Sequence, residues 1–299
     1  MKEKSPHLYG ILITAAGVLL LTPDGLLVRL IGADSATILF WRGLLFAIGI
    51  FGFYLLRRGS TTIGLIKAMG RRGVIAALLF TFSTCFFVLA LTHTSAANAL
   101  VIISTAPLFA ALFSWLILKE TIPLFTWVAI GICIGGISLI FLGSVGGGSR
   151  HGDIYALVCA FMIAGQITTV RHAKNIDMVP SLGISGLFTA LIALPFSAPL
   201  AITGLDFTYL CILGLVVLPS AFGLITIGPR YISAPEVSLL MLMESILGPF
   251  WVWLVLAEVP RPETILGGTI VITTLVIHTA IAYRKSRTIP DAGYIVSSR

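Results

Sequence analysis

Ten apolar runs follow one another along 299 residues with only short gaps between them. They are Tyr9 to Ile31, Ser35 to Leu56, Gly73 to Thr92, Ala96 to Leu118, Leu124 to Gly143, Asp153 to Val170, Pro180 to Ile202, Phe207 to Gly228, Glu236 to Ala257 and Glu263 to Tyr283. A stretch of about 20 apolar residues crosses the hydrocarbon core of a bilayer as a helix. In lipid each backbone polar group must find a partner within the structure, so only helices and closed barrels span. A barrel would read as shorter segments of alternating polarity. The runs therefore predict an all-α polytopic membrane protein with ten transmembrane helices. Composition agrees, because 58% of the residues are apolar and 10% are charged, against about a quarter in soluble domains. Disorder is excluded on the same ground, since disordered chains are poor in apolar residues. The first run is too long, and its Pro23-Asp24 interruption too internal, for a cleavable signal, so it is expected to persist in the mature protein.

The formal charge of +7 would suggest nucleic acid in a soluble protein, but in a polytopic chain it reports orientation. With the N-terminus in the cytoplasm, fifteen Lys and Arg residues fall on the cytoplasmic side and three (Arg29, Arg150 and Arg261) on the other, while Arg42 lies inside the second run. Both termini are expected to be cytoplasmic, in an inner membrane, with the bilayer rather than nucleic acid as the partner surface. Cys85, Cys133, Cys159 and Cys211 all lie in apolar runs without metal-ligand or redox spacing, and read as small packing residues.

The stretch Gly146 to Gly152 (GGGSRHG) divides the chain nearly in half, with five runs on each side. Shifting the sequence by 138 residues lays Ser95-Ala96 on Ser233-Ala234, Trp115-Leu116 on Trp253-Leu254, Leu118 on Leu256 and Glu120 on Glu258 without a gap. Leucines and alanines match by chance in such a chain, so the paired Trp and paired Glu carry the weight. Five spans per repeat make the halves insert in opposite directions, an arrangement common in secondary transporters, with the site near the midplane. The expected units are an N-terminal five-helix repeat (1–145), an inverted C-terminal repeat (153–283) and a cytoplasmic tail (284–299).

The segment Ser95 to Glu120 resembles the fourth span of the EamA-type repeat of the drug/metabolite transporter superfamily. It carries Asn98, then Thr105-Ala-Pro107, then Trp115-Leu-Ile-Leu-Lys-Glu120. The ninth span, Ser233 to Glu258, is similar to the second copy, with Glu244 where that copy often has a Glu-Pro pair; here Ser245 follows and the proline comes at Pro249. The resemblance covers about residues 9 to 283 and, within the superfamily, is strongest to the YddG-type exporters of aromatic amino acids. It implies two inverted five-helix halves around a central cavity, with the fifth and tenth helices packed outside it, and a small-molecule substrate.

Charges inside a membrane are costly and point first to function. Asp24 lies seven residues before the end of the first run and Arg42 seven after the start of the second. At 1.5 Å per residue both sit about 10 Å below the same surface, on consecutive antiparallel helices. They are either a structural ion pair or a gate and partner for the charged ends of a substrate. Glu244 lies about 14 Å into the ninth run, near the midplane. A carboxyl there could meet a substrate ammonium or, held neutral without a partner, carry a coupling proton. It could equally be a neutral acid bonded to the helix backbone or to a serine such as Ser238. Further candidates for a substrate pocket are Phe80 and Thr84 on span three, Asn98 and Thr105 on span four, Met162 and Gln166 on span six, and Met241 beside Glu244. For each, interhelical hydrogen bonding or packing is the competing role.

Pro23, Pro107, Pro195, Pro219 and Pro249 fall within runs and would weaken or kink the helices there. Gly131 and Gly135 on span five suit close helix packing, with Gly267-Gly268 as their counterpart, either within a monomer or across a homodimer. No phosphate loop, zinc motif or nucleophile elbow occurs, so neither an ATP-driven pump, a cofactor nor an enzyme is expected. An ungated pore would need charge rings or a carbonyl filter, which are missing. The reading is a secondary transporter exporting small amphipathic metabolites, aromatic or apolar amino acids first among them. Other metabolites or cationic drugs are the alternative.

Overall fold

The computed structural model describes residues 6–59, 61–118, 124–143, 150–173, 175–228, 231 and 234–288. All regular structure among them is helical. In chain order the helices are α1 (Pro6–Leu21), α2 (Asp24–Leu30), α3 (Ser35–Arg58), α4 (Thr61–His93), α5 (Ala96–Ile103), α6 (Ala106–Leu118), α7 (Leu124–Gly143), α8 (Arg150–His172), α9 (Val179–Ala193), α10 (Gly204–Cys211), α11 (Leu218–Ile227), α12 (Ala234–Leu256) and α13 (Pro262–Thr288). Among the described residues, seven helical stretches are long and apolar enough to cross a membrane: Leu8–Leu30, Ser35–Arg58, Thr61–His93, Ala96–Phe113, Arg150–His172, Val179–Phe196 and Gly204–Ile227. Three more are apolar but shorter: Trp127–Ile140, Met243–Leu256 and Pro262–His278.

Several expected single spans are interrupted, and the interruptions have local causes. Pro23 separates α1 from α2, where a residue without an N–H cannot continue the ladder. Pro107, at the second position of α6, leaves the carbonyl of Ile103 without its helical donor. The hydroxyls of Ser104 and Thr105 at that break donate to the carbonyls of Val101 and Ile102, at 2.6 Å each. Between α10 and α11 the chain forms a π-helix over Ile212–Val217, with Pro219 just beyond it. Pro195 does not kink a span: α9 closes there in a single 3-10 turn, Leu194–Phe196, so the seventh run is shorter as a helix than its apolar length. Pro249, by contrast, lies inside a continuous α12. The glycine stretch before Arg150, the tail beyond Thr288, Glu120 and Ser233 lie outside the described residues, whereas Arg150 to Gly152 already belong to α8.

The two halves interleave. α4 packs mainly on α8 and α9, α3 on α9, and α1 on α11 and α12, while α7 packs chiefly on α13. Glycines set the closest crossings. A Cβ on Gly43 of α3 would stand 2.6 Å from the Gly186 carbonyl of α9, and one on Gly186 would stand equally close to the Gly43 carbonyl. On α7 the contact is one residue from the expected register. Gly131 and Gly135 face open space, and Gly136 meets Gly267 of α13, where an added Cβ would fall 3.0 and 2.5 Å from the opposite carbonyls. Two residues on one helix that are a single position apart point about 100° apart, enough to exchange a packed face for an open one.

Candidate functional site

The break at Pro23 puts Asp24 at the first position of α2, and α3 brings Arg42 against it. Both are buried, at 2% and 3% exposure. The guanidinium grips the carboxylate with two bonds, Arg42 Nη2 donating to Oδ2 at 2.7 Å and Nη1 to Oδ1. Its carbon also lies 5.3 Å from the centroid of the Phe87 ring. An arginine has five N–H donors. Among the described residues its Nε–H, buried as well, has no partner. Removing one member of such a pair strands the other charge, a loss of about 3–5 kcal/mol.

The pair forms part of the wall of a cavity of about 80 Å³. Phe80, Ser83, Thr84 and Phe87 of α4 line it with Cys159, Ile163 and Ile167 of α8, Phe222 of α11, and Met241, Glu244 and Ser245 of α12. The broken span contributes Leu100, Ile103, Ser104, Ala106, Pro107 and Ala110. An apolar cavity with a few convergent charged groups is the usual form of a small-molecule site. Phe80 also stacks edge-on with Phe222 at 4.8 Å, and both approach Phe46, at 6.1 and 6.2 Å.

The two ends of the cavity differ. Toward Asp153, α5 lies directly on α12. The Ser245 hydroxyl donates to the Leu100 carbonyl at 3.3 Å, and a Cβ on Gly248 would stand 2.5 Å from Leu100 Cδ1. Trp251 Nε1 donates to Thr22 Oγ1 at 3.1 Å. Farther out, Glu258 Oε1 accepts the Ala96 N–H at 3.0 Å and meets Arg29 Nη2 at 3.4 Å, while Arg29 also donates to the Thr94 carbonyl. Asp153 Oδ1 accepts from Thr94 Oγ1 at 2.7 Å and Asn98 Nδ2 at 3.3 Å, and Thr264 donates to Asn98 Oδ1. Toward Arg57 the cavity instead continues past Ala110, Ile163, Ile167 and Met241, where α6 packs on α8.

Of the ten candidate residues, the structure brings Asp24, Arg42, Phe80, Thr84, Met241 and Glu244 to this cavity and puts four elsewhere. Asn98 belongs to the Asp153 cluster, held by hydrogen bonds at the helix ends. Thr105 is buried with its hydroxyl on Ile102, beside a separate groove between α6, α7 and α8. On α8 the wall is the stripe Cys159, Ile163, Ile167. At 100° per residue, Gln166 points about 60° and Met162 about 100° away from its centre. The stripe and Phe222 carry no polar mark in the sequence. The available signal was the small-residue series Ala156, Ala160, Ala164, each fully buried, which marks the neighbouring packing face of the helix.

The sequence profile of the EamA-like transporter family matches residues 8–142 and again residues 150–280. The pseudopaline exporter CntI of Pseudomonas aeruginosa is 27% identical over 257 residues, covering 81% of this chain and 85% of that protein. An uncharacterized transporter of Archaeoglobus fulgidus is 24% identical over 213 residues, covering 69% of this chain and 66% of its own. One solved crystal structure superposes with a TM-score of 0.66 at 18% identity, over 93% of this chain and 98% of the other, a likeness of fold. The double match of the profile spans nearly the whole bundle, and the chain belongs to the EamA-like transporter family.

Proposed function

We propose that this transporter exports small amphipathic metabolites, aromatic or apolar amino acids first among them, by alternating access. The buried Arg42–Asp24 pair on the wall of an aromatic and aliphatic cavity carries the reading. The unpartnered Arg42 Nε–H offers a substrate carboxylate a donor already desolvated, and Glu244 across the same cavity offers an ammonium group a carboxylate. Phe80, Phe87 and Phe222 supply the apolar surface an aromatic side chain would bury. Asn98, Thr105, Met162 and Gln166 act around this pocket rather than on its wall.

The seven long and three shorter apolar helices act as ten spans, arranged as inverted repeats over 1–145 and 153–283, with 284–299 as a cytoplasmic tail. The excess of Lys and Arg assigns the Arg57 end to the cytoplasm of an inner-membrane protein. On that orientation the lining residues Ala110, Ile163, Ile167 and Met241 face the side from which an exporter loads. A carrier for other metabolites or cationic drugs is the second reading, favoured by the 27% identity to an exporter of a different named substrate.

Counterflow in proteoliposomes tests this directly. Labelled phenylalanine should exchange saturably, and lysine and a quaternary ammonium should not compete. Exchange of the cations alone selects the second reading, and no exchange of any of them removes both. Glu244→Gln is expected to flatten the pH dependence of phenylalanine exchange if Glu244 carries a coupling proton. An unchanged profile assigns Glu244 to substrate contact or packing alone.

A further inference from the structure

At the Arg57 end a second and separate groove of about 660 Å³ opens between α1, α3 and α11. It shares no lining residue with the central cavity, and the Phe46–Phe80–Phe222 cluster lies on the helices between them. Its deep part is apolar, with Ile13, Ile50, Leu215 and Leu224, and narrows where Gly49 approaches Pro219. Its rim is basic and aromatic. Arg57 and Arg58 are exposed there, and Tyr9 and Tyr231 meet edge-on at 5.1 Å on the other lip. Arg57 stacks 5.7 Å from the Phe53 ring, and neither arginine makes an ion pair among the described residues. The groove's own carboxylate, Asp177, is occupied by the Tyr54 hydroxyl at 2.8 Å and the Val179 N–H at 3.2 Å.

The surroundings identify which solvent this rim meets. Leu56 is 92% exposed, and Phe53, Leu55 and Ile63 are more than half exposed, all within a few residues of the two arginines. In a membrane protein such side chains face acyl chains, and basic clefts between spans at the interface take acidic headgroups. Tyrosines favour the same headgroup level.

We infer that this groove is a binding site for an anionic phospholipid of the adjoining leaflet, with the phosphate at Arg57 and Arg58 and one acyl chain running between Ile50 and Leu224. Charge complementarity at the rim selects the acidic headgroup, and the apolar depth requires an acyl chain, which a free phosphate lacks.

The test uses the full chain purified in neutral detergent and titrated with phosphatidylglycerol, with phosphatidylcholine and glycerol 3-phosphate as controls. Binding is read by native mass spectrometry and by the shift of thermal unfolding. Phosphatidylglycerol alone should bind and stabilise. Each arginine near an anionic headgroup contributes a factor of about five, so Arg57→Gln with Arg58→Gln should weaken binding about 25-fold. A Cβ on Gly223 meets nothing within 4 Å, so Gly223→Phe fits the empty groove and should displace the chain while leaving both charges in place. Both variants should match the parent's unfolding in neutral detergent. Parent-like affinity in either correctly folded variant, or glycerol 3-phosphate binding as well as the lipid, would overturn the proposal.

Discussion

The two ends of this bundle are held by different chemistry. At the Asp153 end, polar side chains of α2, α5 and α8 and of the connections after α4 and α12 converge on helix termini: Glu258 caps the first turn of α5, Arg29 bridges it to the Thr94 carbonyl, and Asp153 gathers Thr94 and Asn98. At the Arg57 end the polar contacts between helices among the described residues are fewer, Tyr54 to Asp177 and Thr62 to the Tyr54 carbonyl, beside the groove between α1, α3 and α11. A closure made of hydrogen bonds at helix ends can release stepwise to water, whereas a closure of interdigitated apolar side chains would expose its whole area at once. Net hydrogen bonds contribute about 1 kcal/mol each, a scale suited to an equilibrium rather than to a permanent seal. The contrast fits the alternating access proposed above, in which the two ends would open in turn.

The largest expected effect lies midway between the ends, at the ion pair. Asp24→Ala and Arg42→Ala should each lower stability in detergent by about 3–5 kcal/mol and abolish exchange, because each strands a buried charge. The double variant should be markedly more stable than either single variant but still inactive. Recovery of exchange in the double variant would make the pair purely structural and the ends the whole mechanism.

A smaller effect tests the closed end. Glu258→Ala removes the acceptor for the Ala96 N–H and the partner of Arg29, which is only partly buried, so about 1 kcal/mol is expected. That is roughly a fivefold shift toward the state open at the Asp153 end. It should appear as faster labelling of a single cysteine at Leu100 by an impermeant maleimide, in a background free of native cysteines. Glu120 occupies the position of Glu258 in the other repeat, and Ser233-Ala234 that of Ser95-Ala96. If the two halves are inverted repeats, as proposed above, Glu120→Ala slows the same labelling. A shift in the same direction for both variants breaks the comparison between the ends.

The smallest effect concerns a cap that neither opens nor closes. Asp34 accepts the N–H groups of Ala36 and Thr37 at the start of α3, at 3.0 Å each, and the Thr37 hydroxyl at 2.6 Å. The Thr37 hydroxyl, against burial as the next largest effect and with the backbone donors adding to it, holds the Asp34 carboxyl below its usual 3.8. The stabilisation is therefore complete above that value and lost as pH falls through the lower folded one. Asp34→Ala should remove about 1 kcal/mol near neutrality and make unfolding less sensitive to acid below pH 3.8, with exchange unaffected.

Much of this was legible in the chain. Apolar length located the helices, because a bilayer admits few other structures. The family was readable from Ser95 to Glu120, since paired Trp and Glu residues at a fixed shift are rare in so apolar a chain. The Asp24–Arg42 pair could be anticipated from depth alone, because two opposite charges on adjacent antiparallel helices have few other partners. Helical direction was not legible in the same way. Apolar residues surround these helices on every side, so no amphipathic stripe says which face meets lipid, a neighbour or a cavity. Hence Gly136 rather than Gly131 and Gly135 meets Gly267, and Cys159, Ile163 and Ile167 rather than Met162 and Gln166 line the site. Length and depth are properties of one segment and follow from its residues. Rotation about the helix axis is decided by which neighbour packs against it, and that is a property of the assembled bundle alone.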